Sequence, residues 1–171
     1  MILAGMIVGR AACIYDGKFA TLTQNFGPEA RGGACSAQLL VTSQPIFYPY
    51  VTHPDVLVAL SQEAYRRFRP TLIPEGMLLY EEELVRLAEG TCAIKAFGIP
   101  ATRFAEELGR RLVLNVVMVG FVTAVTGIVS PEAVRQAVRA SVPAGTECLN
   151  LAAFEKGLLH GQSKLCATRA E

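Results

Sequence analysis

Eighteen consecutive residues, Leu112 to Val129, carry no charge and follow directly on Arg110-Arg111. A run of this kind has two physical outcomes. It can cross a bilayer, for which it is just long enough, or it can form a helix buried on every side within a protein core. Asn115, Thr123, Thr126 and two glycines interrupt it, and Ser130-Pro131-Glu132, a helix-starting signature, follows at once. The buried central helix is the better reading. The rest of the chain must then supply the elements that surround it.

Those elements are short and alternate in type. Leu3 to Ile14 reads as a helix stopped at Tyr15-Asp16-Gly17, with Gly5 and Gly9 on one face. There the backbone could approach a sheet or a ligand closely, and tight packing is the simpler explanation. "KFATLTQ" and "ACSAQLLVTS" read as strands by their β-branched and aromatic content, and "QPIFYPYVTHP" is a Pro-broken connection with a short extended piece.

"DVLVAL" (residues 55–60), "MLLY" (77–80) and "TCAIKAFGIP" (91–100) are apolar runs suited to strands buried on both faces. Helices are expected from Ser61, a candidate N-cap, to about Arg69, from Ala101 to Leu108, and from Ser130 to about Ala140. A last one, Leu151 to Leu159, would be capped by Asn150. The tail from Gly161 reads as unstructured or ordered by a partner. This alternation predicts one α/β domain: three-layer α/β/α, with a largely parallel or mixed sheet and a helical C-terminal part.

With 18% charged residues against roughly 25% in an ordinary soluble domain, and 51% hydrophobic, part of the exterior should be covered by partners. The net charge of +1 is scattered, which argues against nucleic acid and an anionic membrane. Cys13, Cys35, Cys92, Cys148 and Cys166 are far apart, so no zinc or iron–sulfur motif is present and reduced thiols are expected. "MILAGMIVGRAAC" has no basic residues ahead of its apolar run, which makes the cytoplasm the default location.

"TQNFGPEARGG", Thr23 to Gly33, gathers Gly27, Pro28, Glu29, Arg31, Gly32 and Gly33 in one connection. Successive N–H groups at Arg31, Gly32 and Gly33 could form an anion nest, with the Arg31 guanidinium adding a bidentate grip on phosphate or carboxylate. A strand connection whose glycines serve only turn geometry explains the composition equally well. Ser61 and Gln62 follow a buried strand at its C-terminal end, where open α/β sheets place ligands, and a helix cap alone would also suffice. His53 has no accompanying nucleophile motif and reads as structural, His160 more so. Glu81-Glu82-Glu83 could bind a cation but reads as a solvated face. No catalytic residue and no metal site is assigned.

"GPEARGG", followed by "PYVTHPDVLVALSQEAY", "GIPATRFAEELG" and "NVVMVG", closely resembles the gamma subunit of 2-oxoacid:ferredoxin oxidoreductases along nearly the whole chain. The GPEARGG version looks most like the 2-oxoglutarate-using members, with pyruvate, branched-chain and indolepyruvate enzymes as alternatives. The resemblance implies a subunit, inactive alone, of an enzyme that oxidatively decarboxylates a 2-oxoacid to an acyl-CoA and passes electrons to ferredoxin.

It further implies that thiamine diphosphate is held by alpha and beta subunits and iron–sulfur clusters by a ferredoxin-like delta subunit. The gamma chain would bind no cofactor alone, but would cover the active site and help bind the substrate coenzyme A. Gly27, Glu29, Arg31, Gly32, Gly33, Ser61 and Gln62 are then the candidate coenzyme A contacts. Residues 1–171 would form a single gamma-type domain. It opens at Met1-Ile2-Leu3-Ala4-Gly5, without the strand and G-x-G-G-Q-G turn that family members place before this helix. Two rivals stay open: a stand-alone binding module for a phosphorylated ligand, and a purely structural interaction subunit. Whether the isolated chain forms a homodimer is also open.

Overall fold

A computed structural model describes residues 1–26, 35–88 and 94–168. Helix α1 (Ile2–Arg10) runs into a π-helical turn (Ala11–Tyr15) and then into strand β1 (Phe19–Phe26), followed by β2 (Cys35–Thr42). Next come β3 (Val56–Ala59), α2 (Gln62–Phe68), β4 (Met77–Glu81), β5 (Lys95–Ile99) and α3 (Ala101–Glu107). The chain closes with α4 (Leu114–Thr126), α5 (Pro131–Ser141) and α6 (Glu147–Thr168).

β3, β4 and β5 form a parallel sheet in that order, with Val56 opposite Met77 and Leu78 opposite Ala96. Side chains alternate across a strand, and here both sets are covered. Leu57, Ala59, Leu78 and Ala96 pack with Tyr65 of α2, Leu72 and Val85. Val56, Val58, Met77, Leu79, Phe97 and Ile99 face the opposite way, into the main core with the other helices. That makes three layers, as expected for an α/β domain. β1 and β2 stand apart as an antiparallel hairpin of their own, with Phe26 opposite Cys35. No helix separates them in sequence, and a parallel crossover needs one. Gly5 and Gly9 of α1 lie against Leu22, Ala37 and Leu39 of this hairpin, so their shared face serves packing on a sheet.

α4 is the central helix. Every residue from Val116 to Phe121 is buried, and the hydroxyls of Thr123 and Thr126 donate to the carbonyls of Val119 and Val122, at 2.8 and 2.7 Å. Thirteen residues span about 20 Å, short of a bilayer's roughly 30 Å core. No helix among the described residues is long and apolar enough to cross a membrane. Gly127, at φ 62°, closes α4 in the left-handed conformation. Ser130 caps α5 by accepting from the Ala133 N–H at 3.2 Å.

The C-terminal expectation needs correction. α6 begins at Glu147, so Asn150 lies inside it and donates from Nδ2 to the Thr146 carbonyl at 2.9 Å, rather than capping a later helix. The segment from Gly161 is helical as far as Thr168. Gly157 and Gly161 look like helix breakers in sequence, each costing about 1 kcal/mol against alanine. Their lack of a side chain is what lets α6 lie directly on α4. A Cβ on Gly157 would fall 1.9 Å from the Val117 carbonyl oxygen, and one on Gly120 would fall 2.0 Å from that of Phe154.

Candidate functional site

The C-terminal ends of β3, β4 and β5 meet at one edge of the parallel sheet, the edge at which such sheets place ligands. At β3, Ser61 leaves the strand in extended conformation and its Oγ accepts from the Ala64 N–H at 3.2 Å. Gln62 beside it grips a neighbouring loop. Its Nε2 donates to the Arg86 carbonyl at 3.1 Å, and its Oε1 accepts from the Arg86 N–H at 2.7 Å. Both predicted residues therefore sit at the expected edge, with these groups committed to local structure.

At β4 the sequence reading of the acidic run fails for its first member. Glu81 is completely buried, while Glu82 and Glu83 are exposed. The strand continues one residue past Tyr80, which puts Glu81 opposite Ile99 on the core face. Its carboxylate accepts from the Leu84 N–H at 2.6 Å and from the Thr102 N–H at 3.1 Å. One side chain thus pins both the loop after β4 and the start of α3. The signal available in sequence was the period of two running from Met77, which places residue 81 with residues 77 and 79.

At β5, Gly98 leaves room for its cross-strand partner. A Cβ there would fall 3.0 Å from the Tyr80 hydroxyl oxygen and 3.0 Å from Glu82 Oε2. Burial, and then the Glu82 charge, hold the Tyr80 phenol above its ordinary range. His160 of α6 lies against the rings of Phe104 and Phe121, at 5.4 and 5.8 Å between centroids, and its buried Nε2 has no hydrogen-bond partner. Burial, followed by the Lys164 charge, holds its imidazole below the ordinary 6.5, against opposing effects of the Gly98 backbone and Glu82.

The folded chain therefore binds fewer protons at His160 than the unfolded chain does. This contribution to stability is present above pH 6.5 and is lost as pH falls from there through the lower value of the folded imidazole. Urea unfolding at mildly acid and mildly alkaline pH should show the wild type losing more stability on acidification than His160→Leu.

An open hollow of about 500 Å³ lies among Asp16 and Lys18, the end of α4, the start of α5, and Leu158 and Gln162 of α6. Its charged rim is structural. The Asp16 carboxylate accepts from both the N–H and the hydroxyl of Ser130, each at 2.6 Å, and Lys18 Nζ donates to the Ile128 carbonyl at 2.6 Å. His53 lies exposed ahead of β3. Among the described residues no three His, Cys, Asp or Glu side chains gather closely enough to hold a metal ion. Gly27, Glu29, Arg31, Gly32 and Gly33 lie outside the described residues. Their flanks, Phe26 and Cys35, are paired across the hairpin.

Residues 1–159 match the family of pyruvate ferredoxin/flavodoxin oxidoreductase. The chain belongs to this family. Within it, the chain is 45% identical over 159 residues to the 2-oxoglutarate synthase subunit KorC of Methanocaldococcus jannaschii, covering 92% of this chain and 85% of that one. Its fold is similar to the gamma subunit of a keto/oxoacid ferredoxin oxidoreductase from Geobacter sulfurreducens, with a TM-score of 0.80, 36% identity, and 95% and 91% of the two chains covered.

The 2-oxoglutarate:ferredoxin oxidoreductase of Magnetococcus marinus, solved with 2-oxoglutarate, coenzyme A and succinyl-CoA bound, shares the fold at a TM-score of 0.80. There the match is 20% identical and takes in 94% of this chain but only 28% of that longer one. The family resemblance read from GPEARGG and its companion motifs is therefore correct, and so is the α/β fold predicted from the alternation of strands and helices.

Proposed function

We propose that this chain is the gamma-type subunit of a 2-oxoglutarate:ferredoxin oxidoreductase, a single domain over residues 1–171 that works in the cytoplasm and is inactive alone. The assembled enzyme would convert 2-oxoglutarate and coenzyme A to succinyl-CoA and carbon dioxide, with the electron pair passing to ferredoxin. The observation that carries this reading is the 45% identity to a 2-oxoglutarate synthase subunit over 159 residues, with 92% of this chain and 85% of that one covered. Thiamine diphosphate and the iron–sulfur clusters belong, on this reading, to alpha, beta and delta subunits.

Within that assembly the part given to this chain is to cover the active site and hold coenzyme A. Gly27, Glu29, Arg31, Gly32 and Gly33 are the residues proposed for it. Glycine N–H groups can meet a phosphate without steric hindrance, and an arginine adds a charge-assisted pair. Ser61 and Gln62, at the C-terminal edge of the parallel sheet, are proposed for it as well. Ser61 starts α2, and Gln62 fixes the loop that carries Arg86.

Arg31→Ala in the assembled enzyme tests the assignment. The KM for coenzyme A should rise roughly tenfold or more, the size of one lost charged hydrogen-bond pair, with assembly and the KM for 2-oxoglutarate unchanged. Lost assembly with normal coenzyme A affinity would instead mark an interaction subunit. Tight binding of a phosphorylated ligand by the isolated chain, abolished by Arg31→Ala, would mark a stand-alone binder.

A further inference from the structure

The loop after β4 is exposed, yet it is held along its length. The Glu81 carboxylate accepts from the Leu84 N–H at 2.6 Å, and the next side chain, Val85, is buried against Leu78 and Tyr65. Gln62 then commits both ends of its amide to one residue. It donates to the Arg86 carbonyl at 3.1 Å and accepts from the Arg86 N–H at 2.7 Å. Two residues on, the Ala88 N–H donates to the Tyr65 hydroxyl at 3.3 Å. The Gln62 bonds face water, where a hydrogen bond adds little net stability, so their main effect is on position.

What they position is a guanidinium with no task in the fold. Arg86 is exposed, and among the described residues its side chain makes no hydrogen bond or ion pair. Glu82 of the same loop reaches towards β5 instead, where its Oε2 stands 3.0 Å from the Cβ position at Gly98. Arg66, four residues after Gln62 and so on the same face of α2, is also exposed. All this lies at the C-terminal edge of the parallel sheet, the ligand edge of such folds.

A guanidinium whose backbone is already fixed loses less freedom on pairing with an anion, and its planar fork matches two oxygens of a phosphate. The exposed carboxylates of Glu82 and Glu83, on the same loop, would repel the broad acidic face of a protein, whereas one arginine is enough for one small phosphate. Within coenzyme A the 3′-phosphate has that chemistry. It is a terminal monoester with three free oxygens and roughly two negative charges, while the diphosphate lies within the chain.

We propose that Arg86, positioned by Gln62, binds the 3′-phosphate of coenzyme A. This rests on the reading of the chain as a coenzyme A-binding oxidoreductase subunit. The test titrates the assembled enzyme, wild type and Arg86→Ala, with coenzyme A and with dephospho-coenzyme A, which lacks only the 3′-phosphate. The dissociation constant for coenzyme A should rise roughly tenfold or more in the variant, and that for dephospho-coenzyme A should stay the same. Gln62→Ala keeps the guanidinium but frees its backbone, and should weaken coenzyme A in the same direction by a smaller factor.

Equal weakening of both ligands overturns the proposal, since the contact would then lie elsewhere on coenzyme A. So does lost assembly, or a raised KM for ferredoxin or 2-oxoglutarate, with coenzyme A affinity unchanged. A wild-type complex that binds coenzyme A no better than Arg86→Ala removes this proposal alone. A wild-type complex that binds no coenzyme A removes it together with the functional reading beneath it.

Discussion

Gly157→Ala is expected to destabilise the fold by about 3 kcal/mol or more, although alanine is the better helix former. On an exposed helix the same change would stabilise by about 1 kcal/mol, so the sign of the effect is diagnostic. The reason lies in the crossing of α4 and α6. A methyl group on Gly157 would stand 1.9 Å from the Val117 carbonyl oxygen, and the obstacle is backbone, which cannot swing aside as a side chain can. The two helices must separate along their contact, and each neighbour then loses dispersion contacts.

Gly120→Ala meets the Phe154 carbonyl oxygen at 2.0 Å and should cost a similar amount. Gly161→Ala meets mainly the Ala124 methyl group, at 2.6 Å, and should cost less. Urea unfolding of the three variants checks the order. A Gly157→Ala protein that is more stable than wild type would contradict the backbone contact between α4 and α6.

The second large effect belongs to Glu81. Glu81→Ala removes the acceptor for the Leu84 and Thr102 N–H groups at a site with no exposed surface. Each unsatisfied donor costs about 1–3 kcal/mol, and the space left behind adds to that, so a total of about 3–5 kcal/mol is expected. Glu81→Gln keeps one accepting oxygen but turns an amide donor towards the other N–H, and should fall between wild type and alanine. Thermal unfolding of the three proteins tests this ranking. Equal melting temperatures for wild type and Glu81→Ala would show that the carboxylate does not hold the loop after β4 and the start of α3.

The contrast between these two regions and the parts read correctly in sequence is physical. The burial of α4 follows from local composition alone, because no charge along Leu112 to Val129 permits a solvent-facing side. Ser61 and Ser130 were legible as caps because capping is decided within three residues, at Ala64 and Ala133. The length of α6 was not legible. Gly161 argues locally for a stop, and only packing against α4, distant in sequence, reverses that argument. Glu81 is a similar case, since a run of three carboxylates looks solvated until the strand boundary, one residue later than its apolar part, sorts them to different faces.

The hairpin pairing of β1 and β2 was hidden because strand content says nothing about the partner. At the candidate site, the sheet edge holding Ser61 and Gln62 was found. The engagement of Gln62 with Arg86, twenty-four residues away, depends on the tertiary fold. Exposed Phe47, Tyr48 and Tyr50 looked like an ordinary Pro-broken connection, because exposure is a property of the folded chain.

The claim that this chain is one subunit of a 2-oxoglutarate:ferredoxin oxidoreductase is tested most directly by purifying it natively from its source cell and identifying by mass spectrometry what accompanies it. Thiamine diphosphate-binding chains in equal amounts, in a complex that reduces ferredoxin only when both 2-oxoglutarate and coenzyme A are supplied, is the predicted result. A chain that purifies alone, with neither thiamine diphosphate nor iron, would contradict it.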